Sequence, residues 1–285
     1  MKSTTCAILC LHYNQQNNIP IVLDRWFGQS HPPNEFILLD DESVDRVNTD
    51  LLYEYGRKYN CKTNFISFEH NENLPYMYNL AVKYAESDYV LMIDCSHLPF
   101  GKYFIEKQLE RVGPKTICVP MFGRLHQNFE DPYNLFAGTF QPIDDQTERT
   151  DLINIAKSDG YLPLYNIDDR NHEWYPTINV SFINRKTFLR FNEGYKSWGL
   201  FDLDYQKRCI LDHFEIVGAR DHALVHWDHP QPESKNFYKG HDARNRSYYN
   251  FCIEYYQKHN ITILTPEIEA EIKHQFNYEQ YNGVG

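Results

Sequence analysis

Acidic residues directly follow two apolar runs near the start of the chain, where their carboxylates could act together. Asp40 and Asp41 follow Glu35-Phe-Ile-Leu-Leu, and Asp94 follows Tyr89-Val-Leu-Met-Ile. If both runs are parallel strands, their carboxyl ends face one crevice and the acids converge there. Carboxylates accept base N–H groups and sugar hydroxyls, and they also bind hard cations. For any one of these acids, a turn or helix-capping role is the simpler explanation.

Alternating strands and helices are predicted to position these acids, because short apolar runs alternate with helix-like segments. The expected strands are 6–11, 35–40, 63–68 and 89–94, and the expected helices are 19–28, 50–60 and 74–85. This β-α-β-α order predicts a parallel sheet with ligands at the carboxyl ends of its strands. Polar residues 124–169, broken by prolines, are typical of an insertion. Later strands are expected at 174–184, 214–217 and 222–226, and later helices at 185–191, 202–212 and 245–259.

The bulk composition indicates a folded protein with reduced thiols. A chain of 285 residues, of which 42% are hydrophobic, can bury a core without disulfides. The seven cysteines form no CxxC pairs, so we expect them to be reduced and structural. A formal net charge of -11 argues against a broad nucleic-acid-binding surface. Residues 1–30 lack a signal-peptide pattern and no stretch approaches a membrane span, which favours a cytoplasmic location.

Four segments in order resemble the amino-terminal half of family 2 glycosyltransferases. They are Leu9-Cys-Leu-His-Tyr-Asn14, Glu35-Phe-Ile-Leu-Leu-Asp-Asp-Glu-Ser-Val-Asp45, Asn73-Leu-Pro-Tyr-Met-Tyr-Asn-Leu-Ala81 and Ser87-Asp-Tyr-Val-Leu-Met-Ile-Asp94. The resemblance implies a GT-A fold, which is a Rossmann-like three-layer α/β/α sandwich with a mixed, mostly parallel sheet. It also implies that a nucleotide-sugar, most often a UDP-sugar, is bound by Tyr13, Asn14, Asp40, Asp41 and Asn79.

The resemblance further implies a metal site at Asp94, which would hold Mn²⁺ or Mg²⁺ against the diphosphate of the donor. The family usually places a second acid where this sequence has Ser96. A histidine could replace the missing carboxylate, and imidazole suits Mn²⁺ better than Mg²⁺. His97 is a candidate, since related N-acetylgalactosaminyltransferases carry an Asp-Ser-His motif here. We therefore expect Asp94, Ser96 and His97 to form a metal site with a histidine from elsewhere.

Later segments resemble the carboxyl-terminal half of galactosyltransferase-type GT-A domains. They are Asn179-Val-Ser-Phe-Ile-Asn-Arg-Lys-Thr-Phe188, Phe191-Asn-Glu-Gly-Tyr195, Trp198-Gly-Leu-Phe-Asp-Leu-Asp204 and His226-Trp-Asp-His229. By this resemblance Asp202 is the catalytic acid of the family pattern, with Asp204 as its helix-side partner. The metal-binding histidine is His226 or His229. Trp198 and Gly199 would contact the donor. Leu200 and Phe201 replace a glycine and a glutamate of the family pattern, which alters the expected acceptor contacts.

Together these features predict a GT-A domain at 1–233 and an aromatic-rich helical tail at 234–285 that packs on it. The predicted reaction is an inverting, metal-assisted transfer of a hexose-type sugar from a UDP-sugar, with Asp202 as the base. The acceptor stays open among glycan, lipid-linked sugar, protein and modified nucleic-acid base.

The sequence is compatible with two other functions. A nucleotide-sugar-binding or glycan-binding module without turnover is the alternative, because Ser96 and Phe201 stand where acids are usual. A nucleotidyltransferase is less favoured, since the chain has no Gly-rich, basic phosphate loop near its amino terminus.

Overall fold

A five-stranded sheet forms the centre of the computed structural model, which describes residues 4–44, 47–68, 73–125, 181–195, 199–227 and 235–276. The strands are β1 (Cys6–His12), β2 (Glu35–Asp40), β3 (Lys62–Ser67), β4 (Tyr89–Asp94) and β7 (Ile183–Asn184), in the order β3-β2-β1-β4-β7. The first four are parallel, and β7 pairs antiparallel with β4. The predicted mixed, mostly parallel sheet is confirmed. Its central strands are buried on both faces, which explains their continuous apolar runs.

A second sheet of three strands was not predicted. It contains β5 (His97–Phe100), β6 (Thr116–Leu125) and β8 (Glu215–Trp227), in the order β5-β8-β6. Strand β8 pairs antiparallel with β5 and parallel with β6. The two strands expected at 214–217 and 222–226 are therefore parts of one strand. Strand β6 pairs with β8 at 215–218 and again at 223–227, with a register shift between the two stretches, and β5 pairs with β8 at 223–226.

Seven helices accompany the two sheets in the described part of the chain. They are α1 (Ile19–Phe27), α2 (Thr49–Tyr59), α3 (Leu74–Tyr84), α4 (Phe104–Leu109), α5 (Phe201–Leu211), α6 (Lys235–His259) and α7 (Pro266–Gln275), with a 3₁₀ turn at Gln16–Asn18. Side-chain caps fix three of the starts: Asn48, Asn73 and Thr265 each accept a main-chain N–H from three residues on. The predicted starts and ends of α1, α2, α3 and α5 are correct to within one residue.

The helix predicted at 185–191 is wrong, because tertiary partners take its backbone N–H groups. The N–H of Leu189 donates to the hydroxyl of Tyr205 in α5, and the N–H of Phe191 donates to Oδ1 of Asn79 in α3. A helix would need those donors for carbonyls four residues earlier. The segment instead begins with a turn at Asn184 and continues as an irregular connection between the sheet and α5.

The carboxyl-terminal helices pack against the connection that leads to α5. Tyr248, Cys252 and Tyr256 of α6 are buried in the main hydrophobic core. Arg190 forms an ion pair of 2.5 Å with Glu269 of α7. Gly194 lies so close to Tyr248 that an added Cβ would collide with the ring. These contacts leave no room for a side chain at Gly194 unless α6 moves.

All seven cysteines belong to the described residues, where they are buried and unbridged, as predicted. Burial raises the pKa of the Cys6 thiol to about 12, so it stays protonated at neutral pH. Within the same residues, we find no helix with the length and apolarity needed to cross a membrane.

Candidate functional site

The carboxyl end of the central strand β1 lies between the two predicted groups of acids. Strand pairing sets His12 opposite Asp40 on one side and Leu11 opposite Asp94 on the other. The main-chain N–H of Asp41 then donates to the oxygen of His12 at 2.9 Å. The parallel order of the sheet therefore places both groups at one edge, as expected for strands whose ends face a single crevice.

Asp94, His97 and His226 form a cluster whose ligand atoms all lie within 4.8 Å of one another. Nδ1 of His97 is 2.7 Å from Oδ1 of Asp94, and Nε2 of His226 is 4.0 Å from Oδ2 of the same carboxylate. The two imidazole rings meet edge to face, with centroids 4.9 Å apart. The pairing of β5 with β8 sets His97 directly opposite His226 and so joins the second sheet to the end of β4.

The donor set of this cluster suits a divalent transition metal. One carboxylate and two imidazoles match Mn²⁺ better than Mg²⁺, which prefers oxygen ligands. Burial by itself would raise the pKa of Asp94, but His97, His226 and the hydroxyl of Ser96 lower it well below its ordinary value. Asp94 is therefore ionised and able to bind a cation at neutral pH.

Ser96, predicted among the metal ligands, is buried and donates its main-chain N–H to Oδ1 of Asp94 at 2.8 Å. Its hydroxyl donates to the same oxygen. Ser96 thus orients the carboxylate that His97 also contacts.

A second polar cluster joins the turns that follow β1 and β2. Nδ1 of His12 lies 2.7 Å from Oδ1 of Asp40, and Oγ of Ser43 lies 3.1 Å from the same nitrogen. Burial acts to raise the pKa of Asp40, but His12 and Ser43 outweigh it and lower the pKa below its ordinary value. His12 was not among the predicted site residues. Its place as a polar residue at the end of an apolar strand was the signal that could have found it.

Tyr13 and Asn14 lie in the turn after β1, where the first is 41% exposed and the second has a left-handed φ of 51°. The main-chain N–H of Asn14 donates to Ser43, and that of Val44 donates to Oδ1 of Asn14 at 2.8 Å. These bonds hold the two turns together. Asp41 is buried beside them. The structure therefore brings together four of the residues that were predicted to bind the nucleotide-sugar: Tyr13, Asn14, Asp40 and Asp41.

Two other predicted residues take part in internal contacts. The amide of Asn79 donates to the oxygen of Phe191 at 3.0 Å and to Glu193 at 2.8 Å, and its own oxygen accepts from the N–H of Phe191. These bonds fix the connection 185–195 on α3. Asp204 has no exposed surface and accepts hydrogen bonds from Tyr195, Tyr256 and Arg208. Asp204 is therefore part of the core, where these three side chains hold its carboxylate.

Asp202 occupies the first turn of α5, directly after a left-handed corner. Gly199 has a φ of 107° and Leu200 a φ of 66°. Oδ1 of Asp202 accepts the N–H of Leu203 at 2.9 Å. Burial raises the pKa of Asp202 above its ordinary value, although that N–H partly opposes the shift. A raised pKa makes this carboxylate a stronger base than an exposed aspartate.

Aromatic contacts connect the start of α5 with the end of β4. The ring of Phe201 packs on Phe191 with centroids 5.7 Å apart, and Phe191 packs on Tyr78 at 6.1 Å. The hydroxyl of Tyr78 donates to the oxygen of Ile93, next to Asp94. Trp198 and His229, also predicted to belong to the site, lie outside the described residues.

Sequence comparisons identify relatives of this chain. A family model described as glycosyl transferase family 2 matches residues 8–161. TuaG of Bacillus subtilis (strain 168), named as a teichuronic acid biosynthesis glycosyltransferase, is 28% identical over 138 residues, which cover 48% of this chain and 50% of TuaG. The chain thus spans about half the length of this curated relative.

Solved structures with the same fold have low sequence identity to this chain. GalNAc-T7 with UDP, GalNAc and Mn²⁺ has a TM-score of 0.58 at 12% identity, and the match covers 99% of this chain and 57% of that protein. TarS of S. aureus (1-349) in complex with UDP-GlcNAc has a TM-score of 0.54 at 15% identity, covering 80% of this chain and 60% of that one. At such identities the likeness establishes the fold and leaves the activity to be argued from the site.

Proposed function

The chain belongs to glycosyl transferase family 2 and has the GT-A fold, and from this we propose that it transfers a sugar from a UDP-sugar to an acceptor with metal assistance. The observation that carries the proposal is the convergence of Asp94, His97 and His226 at the end of β4, beside the cluster at Asp40. The relatives support the choice of donor, because TarS was solved with UDP-GlcNAc and GalNAc-T7 with UDP and Mn²⁺.

The turns after β1 and β2 are proposed to bind the nucleotide. The ionised carboxylate of Asp40 can accept an N–H of the base or a ribose hydroxyl, and buried Asp41 lies next to it. The exposed ring of Tyr13 offers a flat surface beside the same cluster. Asn14 is hydrogen-bonded to Ser43 and Val44, so it holds the two turns together where the nucleotide is proposed to bind.

The three-residue cluster is proposed to hold Mn²⁺. A bound Mn²⁺ would neutralise charge that builds up on the diphosphate leaving group. Asp94 supplies the anionic ligand, because its pKa is lowered, while Ser96 and His97 fix the orientation of its carboxylate. His226 brings the second imidazole from the other sheet.

Asp202 is proposed as the base of an inverting displacement. Its carboxylate would take the proton of the acceptor hydroxyl as that oxygen attacks the anomeric carbon. The raised pKa supports this role, because burial strengthens the base. The start of α5, where Asp202 lies, is connected to β4 through Phe191 and Tyr78.

We also propose that residues 1–233 form the catalytic domain and that 234–285 pack on it. The hydrogen bond from Tyr256 of α6 to Asp204 of α5 supports that packing. A cytoplasmic location stays a prediction. The similarity to TuaG, which is named for teichuronic acid biosynthesis, directs an acceptor search first to glycans, with lipid-linked sugars, proteins and modified nucleic-acid bases after them.

A binding test with Mn²⁺ and UDP separates an enzyme from a binding module. We expect UDP to raise Tm more in the presence of Mn²⁺ than in its absence, and one of a panel of UDP-sugars to release UDP. Stabilisation by UDP without release from any donor would favour the nucleotide-sugar-binding alternative. The replacement of the usual second acid by Ser96 is the observation that keeps this alternative open.

Substitution of Asp202 tests the proposed base. Asp202→Asn should bind UDP as well as the wild type does and should lose transfer by at least about a hundredfold. Asp50→Asn is the matched control, since Asp50 is an exposed aspartate in the first turn of α2. Full transfer activity in Asp202→Asn would show that another group takes the proton.

A further inference from the structure

His12 is completely buried at the end of β1. Both nitrogens of its ring nevertheless make hydrogen bonds to residues at the end of β2 or in the turns that follow β1 and β2. Nδ1 faces Asp40 at 2.7 Å and Ser43 at 3.1 Å, in the turn after β2. Nε2 accepts the main-chain N–H of Gln15 at 3.2 Å, in the turn after β1. One imidazole therefore connects the backbone next to Tyr13 with the carboxylate of Asp40.

These contacts fix the tautomer of His12. The N–H of Gln15 points at Nε2, so this nitrogen is the acceptor of the ring. Nδ1 is then the donor, and its N–H is directed at Oδ1 of Asp40.

The hydrogen bond from His12 leaves the two oxygens of Asp40 in different states. Oδ1 accepts the ring N–H at 2.7 Å, whereas Ser67 contacts Oδ2 at the longer distance of 3.4 Å. Ser43 also hydrogen-bonds the carboxylate through its hydroxyl and its main-chain N–H, and it accepts the N–H of Asn14. The ring of His12 thus holds the carboxylate through Oδ1.

We propose that His12 is a positioning residue for donor binding: its Nδ1–H holds Oδ1 of Asp40 so that Oδ2 accepts a hydrogen bond from the nucleotide, while its Nε2 fixes the turn of Tyr13. This inference rests on the proposed function, since it requires that Asp40 contacts the nucleotide. His12 itself is buried behind the carboxylate and touches no substrate. Its contribution is to binding of the donor and not to the chemical step.

Two amide substitutions separate the two nitrogens of the ring. The side-chain NH₂ of asparagine can occupy the place of Nδ1 and donate to Asp40, whereas glutamine reaches toward the place of Nε2 and Gln15. His12→Asn keeps the donor to Asp40 and loses only the acceptor for Gln15, so its Kd for UDP should stay within about threefold of the wild type. His12→Gln and His12→Ala should raise the Kd of UDP about tenfold or more, because Asp40 loses its buried donor. His274→Ala, at an exposed histidine of α7, is the control.

The experiment is calorimetric titration of the full chain with UDP at saturating Mn²⁺, together with donor KM and kcat from UDP release. We expect the changes in Kd and donor KM to agree, kcat at saturating donor to stay within about twofold, and the Mn²⁺ half-saturation point to stay constant. A merely structural histidine would lower Tm without this split between KM and kcat.

The results that would overturn the inference are distinguishable from those that would overturn the proposed function. Wild-type affinity in folded His12→Gln would remove the role of His12 and leave the proposed function intact. A wild-type protein that binds no UDP at all would overturn the proposed function and this inference with it. If His12→Ala fails to fold, the comparison of His12→Asn with His12→Gln decides in its place, and equal affinities of the two variants would contradict the inference.

Discussion

The side-chain Nδ2 of Asn245 donates a hydrogen bond to the main-chain oxygen of Gly199, with 3.3 Å between the two atoms. Asn245 is buried in α6, and Gly199 begins the left-handed corner that precedes α5. Leu200, the next residue, also has a positive φ, which costs on the order of 1 kcal/mol for a residue with a side chain. The contact between α6 and this corner therefore helps to stabilise the conformation from which Asp202 is presented.

Asn245→Ala is expected to lower the free energy of unfolding by about 0.5–1.5 kcal/mol, because the part-buried carbonyl of Gly199 loses its hydrogen bond. It should also lower kcat more than it changes donor KM, since the corner before Asp202 is displaced. Urea unfolding and UDP release measure the two effects. Asn250→Ala, at an exposed position of the same helix, should change stability by less than about 0.5 kcal/mol. An unchanged kcat in Asn245→Ala would show that α6 does not position the base.

Removal of metal ligands should abolish the stabilisation by Mn²⁺. At a hundredfold excess over Kd, a ligand that binds only the folded state stabilises it by about 2.7 kcal/mol. We expect Asp94→Asn to lose this shift completely, because the cluster has no other carboxylate ligand, and His226→Ala to lose most of it. Thermal unfolding with and without Mn²⁺ measures the shift, and His274→Ala should retain it. A full shift in His226→Ala would remove that histidine from the site.

The first half of the site could be predicted because its signals are local. Strands β1, β2 and β4 are buried on both faces, so each reads as an uninterrupted apolar run that ends in a polar residue. Asp94 and His97 are three residues apart, so their proximity required only that the chain turn after β4. Parallel pairing then brings the carboxyl ends of these strands to one edge of the sheet, so no other sequence signal was needed to predict that the acids lie near one another.

The remaining features depend on contacts between distant parts of the chain. The pairing of His97 with His226 comes from β5, a strand of four residues that is too short to show a periodic pattern. The helix predicted at 185–191 failed because side chains of α3 and α5 take its N–H groups. Asp204 was assigned to the site because of the residues that flank it in the sequence. Its carboxylate instead accepts a hydrogen bond inside the core from Tyr256, which lies 52 residues later in the chain.

The buried ion pair between Asp204 and Arg208 should be essential for stability. Neither side chain is exposed, and Nε of the arginine is 2.8 Å from the carboxylate. Asp204→Asn leaves the guanidinium buried without its counter-charge, which should cost about 3–5 kcal/mol. Glu110→Gln is the control, because Glu110 is 52% exposed and its ion-pair distances are 3.8 and 3.9 Å, so the expected loss is under about 1 kcal/mol. Denaturant unfolding gives both values, and a loss of similar size in the two variants would contradict the argument.

The dependence of kcat on pH should report the ionisation of Asp202. A base acts only when deprotonated, so kcat falls as the pH drops through the pKa of Asp202. Burial raises this pKa, so the acid limb should lie above 3.8, the ordinary value for aspartate. Asp40 and Asp94 have lowered pKa values and stay ionised across that range, so neither produces the limb. UDP release should be measured at saturating Mn²⁺, because metal and protons compete for the imidazoles. Asp50→Asn should keep the wild-type profile, and an acid limb at or below 3.8 would exclude Asp202 as the titrating base.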